Sequence, residues 1–240
     1  MRKNKNKVCI VGSSPRSRLD APYDDNDYEI WGLNFGYSYM KRYDRYFEIH
    51  DSRILRAEHV KKLQELDVPI YTQVPLEGLK QNVIYPLQEI IDHFKTDYFT
   101  NSISYMIALA IYEGFEQIDI FGVDMAVSEE YGHQRPSCEY WIALARGKGI
   151  EVNLPASSDL CKTNALYAYN IKTEHAVEFK RSRKAELEAR VKQCDEDLHV
   201  IKDQFLSVLK QKEVERAALL GALDEIRYNT FNKSEGEAQE

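Results

Sequence analysis

Apolar runs four or five residues long recur through the first two thirds of the chain, most of them closed by glycine, proline, asparagine or aspartate. KVCIV (7–11), IWGLN (30–34), YFEIH (46–50), PIYT (69–72), IDIFG (118–122) and IEVNL (150–154) have strand length and are apolar at most positions. That is the pattern of strands covered on both faces. Between them the period lengthens. Leu55, His59, Leu63 and Leu66 fall on one side of a helix over 53–66, and NVIYPLQEIIDHF (82–94) fits a helix with a proline in its early part. Residues 104–112 are almost wholly apolar, so a helix there is buried on most faces, with Asn101-Ser102 as its cap and Gly114 as its stop. A further helix is expected over 137–148, with Gly149 ending it. Strands alternating with helices predict an α/β, Rossmann-like fold: a mostly parallel sheet with helices on both faces.

The pattern then changes. Leu187, Val191, Cys194, Leu198, Ile201, Phe205 and Val208 step by four and three, Lys212 and Glu215 interrupt the series, and Leu219, Ala222 and Ile226 resume it. This is the a/d seam of a coiled coil, and it predicts a long C-terminal coiled-coil helix, about 60 Å over 186–227 at ~1.5 Å per residue. Such a stripe needs a partner helix or the domain's own surface. A homo-oligomer through the heptads of 187–226 is expected. The organisation is then a Rossmann-like nucleotide(-sugar)-binding domain (1–165), a linker (166–184), the coiled-coil helix (185–228) and a disordered tail (229–240).

Composition narrows the class. With 240 residues, 43% of them hydrophobic, there is enough for one domain with a real core. No apolar run approaches the ~20 residues of a membrane span, and the basic start leads into only about five apolar residues, too few for a signal peptide. The four cysteines (Cys9, Cys138, Cys161, Cys194) form no CxxC pair, so no metal or redox motif is visible and a reduced, cytoplasmic protein is expected. Cys9 and Cys194 read as small packing residues. Net charge is −7, with 19 Lys+Arg against 24 Asp+Glu in 1–165 and 13 against 15 thereafter. Nucleic-acid binding through phosphate neutralisation is not favoured.

Candidate chemistry collects at strand ends, where open α/β sheets hold ligands. Gly12, Ser13 and Ser14 follow the first strand, as a loop whose backbone and hydroxyls could meet a phosphate. Asn34 ends the second strand, with an amide able to pair with a base or ribose. His50 and Asp51 end the third, as a polar pair facing the cleft or a locally bonded one. Asn101 and Ser102 open the apolar helix, as cap or anion contact. Asp124 ends the fifth strand. The loop 129–138 is dense in polar groups: His133 could serve as general base and Arg135 could hold a phosphate or carboxylate. His59 and His93, on helices, read as structural.

The order of these pieces resembles the bacterial lipooligosaccharide sialyltransferases and the related MptE-like family, which includes archaeal hydroxymethylpterin diphosphokinases. The likeness covers about 7–155. Its most specific part runs from Asn101 to Asp124, with Ser102, Met106, Ala108, Ala110, Gly114, Phe115, Ile118, Gly122 and Asp124 at the family's spacing. The chain also resembles uncharacterised proteins of tailed phages, which would place it in a host cytoplasm. The resemblance implies a nucleotide or nucleotide-sugar site (CMP- or UDP-type donor) contacted by Ser13, Ser14, Asn34, Asn101 and Ser102, with His133 as catalytic base. Three readings compete: an inverting, metal-independent glycosyltransferase; a non-catalytic ligand-binding module that docks or oligomerises through its coiled coil; and a pyrophosphotransferase using Mg²⁺ near Asp124, Glu129 and Glu130.

Overall fold

The computed structural model describes residues 5–15, 17–125, 129–163, 165–169 and 174–236, with no side-chain description for 129–131, 174–183, 185, 186, 190 and 228–236. Contacts divide the chain into two units, Met1–Ser182 and Arg183–Glu240.

The first unit is built on seven strands: β1 (Lys7–Val11), β2 (Tyr28–Leu33), β3 (Arg45–Glu48), β4 (Ile70–Thr72), β5 (Asn82–Ile84), β6 (Gln117–Phe121) and β7 (Glu151–Asn153). All pair in parallel, in the order β5-β4-β3-β2-β1-β6-β7. The chain steps outward from β1 to β5 and then returns to the other side of β1 for β6. The order therefore reverses between β1 and β6, and the crevice outside the carboxyl ends of that pair is where such sheets bind ligands. The helices are α1 (Ala57–Glu65), α2 (Leu87–Phe94), α3 (Ser102–Tyr112) and α4 (Glu129–Gly147).

Alternation along the strands sorts the core. Val8, Ile10, Trp31, Phe47, Ile118 and Ile120 face one way, against Met106, Ile107 and Ala110 of α3 and Trp141, Ile142 and Ala145 of α4. Met106 and Ile107 are fully buried, each contributing about 1.5–3 kcal/mol. Cys9, Val11 and Ile30 face the other way, onto Ala21, Tyr23 and Met40. On that side α1 lays Leu63 beside Tyr46 and Ile70. This is the α/β Rossmann-like fold that the periodicity predicts.

Two segments differ from expectation. Residues 82–94 do not form one helix: 82–84 pair with β4 as β5, and the helix begins only after Pro86. A residue before proline is pushed out of the helical region, so Tyr85 has to be extended, and the Asn82 side chain ties the strand down by donating to Thr72 Oγ1 at 2.7 Å. Residues 129–138 are not a loop. They are the first turns of α4, which continues through Pro136. Proline removes the hydrogen bond to the Gly132 carbonyl, but Gly132 is exposed and water can take that carbonyl.

The C-terminal helix, α5 (Glu174–Gly236), is 63 residues long and includes 174–184 and 229–236, which the sequence reading placed in linker and tail. Every side chain from 191 to 227 is exposed, including the seam residues Val191, Leu198, Ile201, Phe205 and Val208. Cys194 is exposed with them rather than buried, while Cys9 lies in the core. Pairs such as Lys212–Glu215 (2.7 Å) and Gln193–Asp197 (3.0 Å) lace its surface.

Candidate functional site

The β1–β6 junction is built on two glycines. Pairing continues past the strands, with Gly12 N donating to Phe121 O and Ser14 N to Gly122 O, both at 2.8 Å. A Cβ on Gly122 would lie 2.5 Å from Gly12 O, and Gly122 has φ +67°; a Cβ on Gly12 would strike the Gly122 carbonyl in turn. Gly12 is thus explained by the strand it faces. The register delivers Ser14 to Asp124, and the Ser14 hydroxyl donates to Asp124 Oδ2. Ser17 Oγ accepts from Gly122 N (2.8 Å), closing the loop underneath. Ser13 stays exposed, its carbonyl accepting from Arg18 (2.9 Å), whose guanidinium lies 3.9 Å from the Tyr39 ring centre. Arg18 therefore brings a fixed cation to the loop.

Asp124 is buried, and its carbonyl accepts from Asp159 N (3.1 Å), so the segment after β7 packs against it. That segment carries Lys162, whose ammonium donates to Pro155 O (2.6 Å) and Ala156 O (3.1 Å). Burial pushes Lys162 below its ordinary value, with Asp159 and Asp124 pulling the other way.

Asn34, at the end of β2, adopts φ +51°, and its side-chain Oδ1 is buried without a hydrogen-bond partner among the described residues. A buried unpaired amide oxygen costs about 1–3 kcal/mol, so a donor from a ligand would relieve it. The next residue, Phe35, leaves 58% of its surface exposed.

Asn101 and Ser102 stand where α3 begins, at the carboxyl edge of the sheet. Asn101 is spent on structure: Oδ1 accepts from Ser104 N (3.0 Å) as the helix cap, and Nδ2 donates to Gln134 O (2.9 Å), docking α4. The Ser102 hydroxyl makes no hydrogen bond among the described residues. On α4, His133 is exposed. Arg135 donates to Glu139 Oε1 (2.7 Å) and Lys162 O (3.2 Å), tethering the helix to the segment after β7.

At the end of β3 the sequence reading missed a cluster. Glu48 is buried, and both its oxygens are taken by imidazoles: Oε1 by His50 Nδ1 and Oε2 by His59 Nε2, each at 2.6 Å. Tyr37 OH sits 2.8 Å from His59 Nδ1, and the Phe35 ring lies 4.7 Å from that of His59, tilted by 53°. Burial alone would raise the Glu48 pKa, but the hydrogen bonds from His50 and His59 outweigh it and hold the carboxyl below its ordinary value. The bond to Glu48 raises His50, against burial. Asp51 is not His50's partner. It caps the turn Ser52–Ile54 and pairs with Arg53. The signal was available, since Glu48 is a charge inside an apolar strand and His59 lies on the buried stripe of α1.

Among the described residues no three His, Cys, Asp or Glu side chains converge as a metal site, and no helix is long and apolar enough to cross a membrane. The side chains of Glu129 and Glu130, invoked for Mg²⁺, lie outside the described residues.

The junction and the strand ends define a Rossmann-like sheet with a polar carboxyl edge. No protein-family model matches the chain, and no curated protein matches it. Among solved structures it is similar to the sialyltransferase CstII of Campylobacter jejuni in complex with cytidine-5'-monophosphate (18% identity, TM-score 0.43, covering 73% of this chain and 88% of that one). It is also similar to the monofunctional alpha-2,3-sialyltransferase Cst-I of the same organism (16%, TM-score 0.45, 79% and 97%). A third is an alpha-2,3-sialyltransferase of C. jejuni in apo form (18%, TM-score 0.43, 73% and 83%).

Proposed function

We propose that the carboxyl edge of the sheet binds a nucleotide-sugar, of CMP or UDP type, and transfers the sugar to an acceptor hydroxyl with inversion and without a metal. The observation that carries this reading is the buried Asn34 oxygen, without a partner among the described residues, set at the end of β2 beside the junction where Ser14 meets Asp124. The orphaned oxygen suits an exocyclic amine or ribose hydroxyl, and the exposed Phe35 ring offers a face on which a base can stack. The phosphate would lie against the 12–14 loop and Ser102, where Arg18 supplies positive charge.

In the reaction the acceptor oxygen attacks the anomeric carbon, the bond from that carbon to the phosphate oxygen breaks, and the phosphate leaves with the electron pair. A base takes the acceptor proton. The resemblance points to His133 for this, and Arg135, two residues on in α4, would offset charge on the leaving group. Asp124, fixed by Ser14, would orient the acceptor or the sugar.

A thermal-shift series with CMP, UDP, GDP, ADP, dTDP and their sugar conjugates tests the site. At a hundredfold excess over Kd, a bound nucleotide stabilises the fold by about 2.7 kcal/mol. For a domain of this size that is a rise of roughly 5–10 °C. Release of sugar or its transfer in the presence of EDTA tests the reaction. No shift with any nucleotide sinks the reading.

A second reading keeps the ligand site without turnover, with α5 as its means of assembly. The exposed heptad row of α5 favours self-association, because a stripe repeating every 3.5 residues fits a second copy of the same helix. Binding without turnover would select it.

A further inference from the structure

We propose that the seam of α5 docks the α5 of a second copy of this chain, and that the two helices run antiparallel in the one register that pairs Lys212 with Glu215. This rests on the self-association argued above from the heptad row, and adds to it the partner's direction and alignment. The stripe consists of two alternating rows, the a and d positions of the heptad. The a row runs through Phe205, Lys212 and Leu219, and the d row through Val208, Glu215 and Ala222. Each row thus carries one charged residue between apolar ones. The two charges lie one turn apart, and within the helix Lys212 Nζ meets Glu215 Oε2 at 2.7 Å.

Those two charges decide between the ways such a seam can pair. In a parallel, in-register pair each row faces itself. Lys212 would then press against the partner's Lys212 and Glu215 against the partner's Glu215, two successive like-charge layers in the middle of the seam. In an antiparallel pair the a row of one helix faces the d row of the other. Setting Lys212 opposite the partner's Glu215 makes both layers opposite in charge, and the ion pair inside each helix closes the four groups into a ring. Sliding the helices by one heptad either way leaves each charge against an apolar residue, Lys212 against the partner's Val208 or the partner's Ala222.

The apolar layers on either side fit the same register. Phe205 falls opposite the partner's Ala222, a large side chain against a small one, and Val208 opposite the partner's Leu219. The parallel pair would instead set Phe205 against the partner's Phe205 and Ala222 against the partner's Ala222, an overfilled layer and a hollow one. Phe205, Val208 and Leu219 each leave more than half of their surface exposed in the single chain, so covering them supplies the driving force. At the rim Lys202 lies beside the partner's Leu223 and Leu209 beside the partner's Arg216, with no like charges meeting. A parallel pair would bring Asp197 to the partner's Lys202, but an exposed ion pair contributes too little to offset two buried like-charge layers.

The test uses the full-length protein, whose wild type should sediment as a dimer. Cys194 lies in the d row and is exposed, so a parallel pair would bring the two thiols together and oxidation would join them. In the antiparallel register position 233 stands opposite Cys194, and the two thiols are roughly 60 Å apart along the pair. Oxidised wild type should therefore form no disulfide through Cys194, whereas a refolded mixture of Val208→Cys and Leu219→Cys chains should cross-link one variant to the other. Lys212→Glu should raise the dissociation constant at least about tenfold, and Lys212→Glu with Glu215→Lys should restore it to within about threefold of wild type. In a parallel pair the single change would only exchange one like-charge layer for another. A disulfide between two Cys194 thiols, Val208→Cys chains joined to each other in place of the mixed product, or an unchanged dissociation constant in Lys212→Glu overturns the antiparallel register alone. A wild type that stays monomeric at high concentration sinks the self-association reading and the register together.

Discussion

Glu48 shows how one buried charge can organise its surroundings. Its carboxylate is stable inside the fold because His50, His59 and a backbone amide surround it. The consequence for stability has a definite sign. His50 is raised in the folded protein, so its contribution is complete below the unfolded value of about 6.5 and is lost as pH rises through the folded one. Glu48 is lowered, so its contribution is complete above its ordinary value of 4.5 and is lost as pH falls through the folded value. The pair therefore stabilises most between about pH 4.5 and 6.5. Thermal midpoints measured from pH 5 to 9 should show wild type and His50→Gln converging as pH climbs past 6.5. A constant gap would mean that the imidazole does not titrate against Glu48. The residues were visible in the sequence, but their pairing was not. Asp51 is the more obvious acid beside His50, yet backbone geometry gives it to Arg53 and gives His50 to Glu48 two positions earlier.

At the level of elements, the close approach of β1 and β6 is what brings Ser14 to Asp124. Gly122→Ala forces a side chain onto a left-handed backbone and against the Gly12 carbonyl. It should cost at least about 2 kcal/mol, read as a fall in Tm of roughly 4 °C or more. A neutral result would mean that the two ends can separate without loss. Six of the seven strands were legible as short apolar runs, because a strand buried on both faces has little polar sequence with which to disguise itself. β5 was not, since NVI reads equally as the first turn of a helix, and only pairing with β4 decides it. The start of α4 was hidden behind Pro136. Of the candidate site, Ser14, Asn34 and Asp124 were visible because strand ends are. Asn101 was visible too, but its amide is occupied by the cap and by α4, which spacing alone does not reveal.

For the whole molecule, the two units differ in what holds them. The sheet unit has a core on both faces of its sheet, whereas α5 exposes every side chain from 191 to 227. If the heptad row pairs with a second copy, the full chain should sediment as an oligomer, and Ile201→Glu with Phe205→Glu should return it to a monomer without lowering the sheet unit's Tm. A wild-type monomer at high concentration sinks self-pairing.

The sheet itself contributes nothing to such assembly. Both of its rims, β5 and β7, are three residues long. A rim that short offers a neighbouring chain too few free amides and carbonyls to template another strand, a common guard against edge-to-edge growth. Crowded copies of this protein are thus kept from polymerising through their backbones, and whatever company the chain keeps must be chosen by side chains.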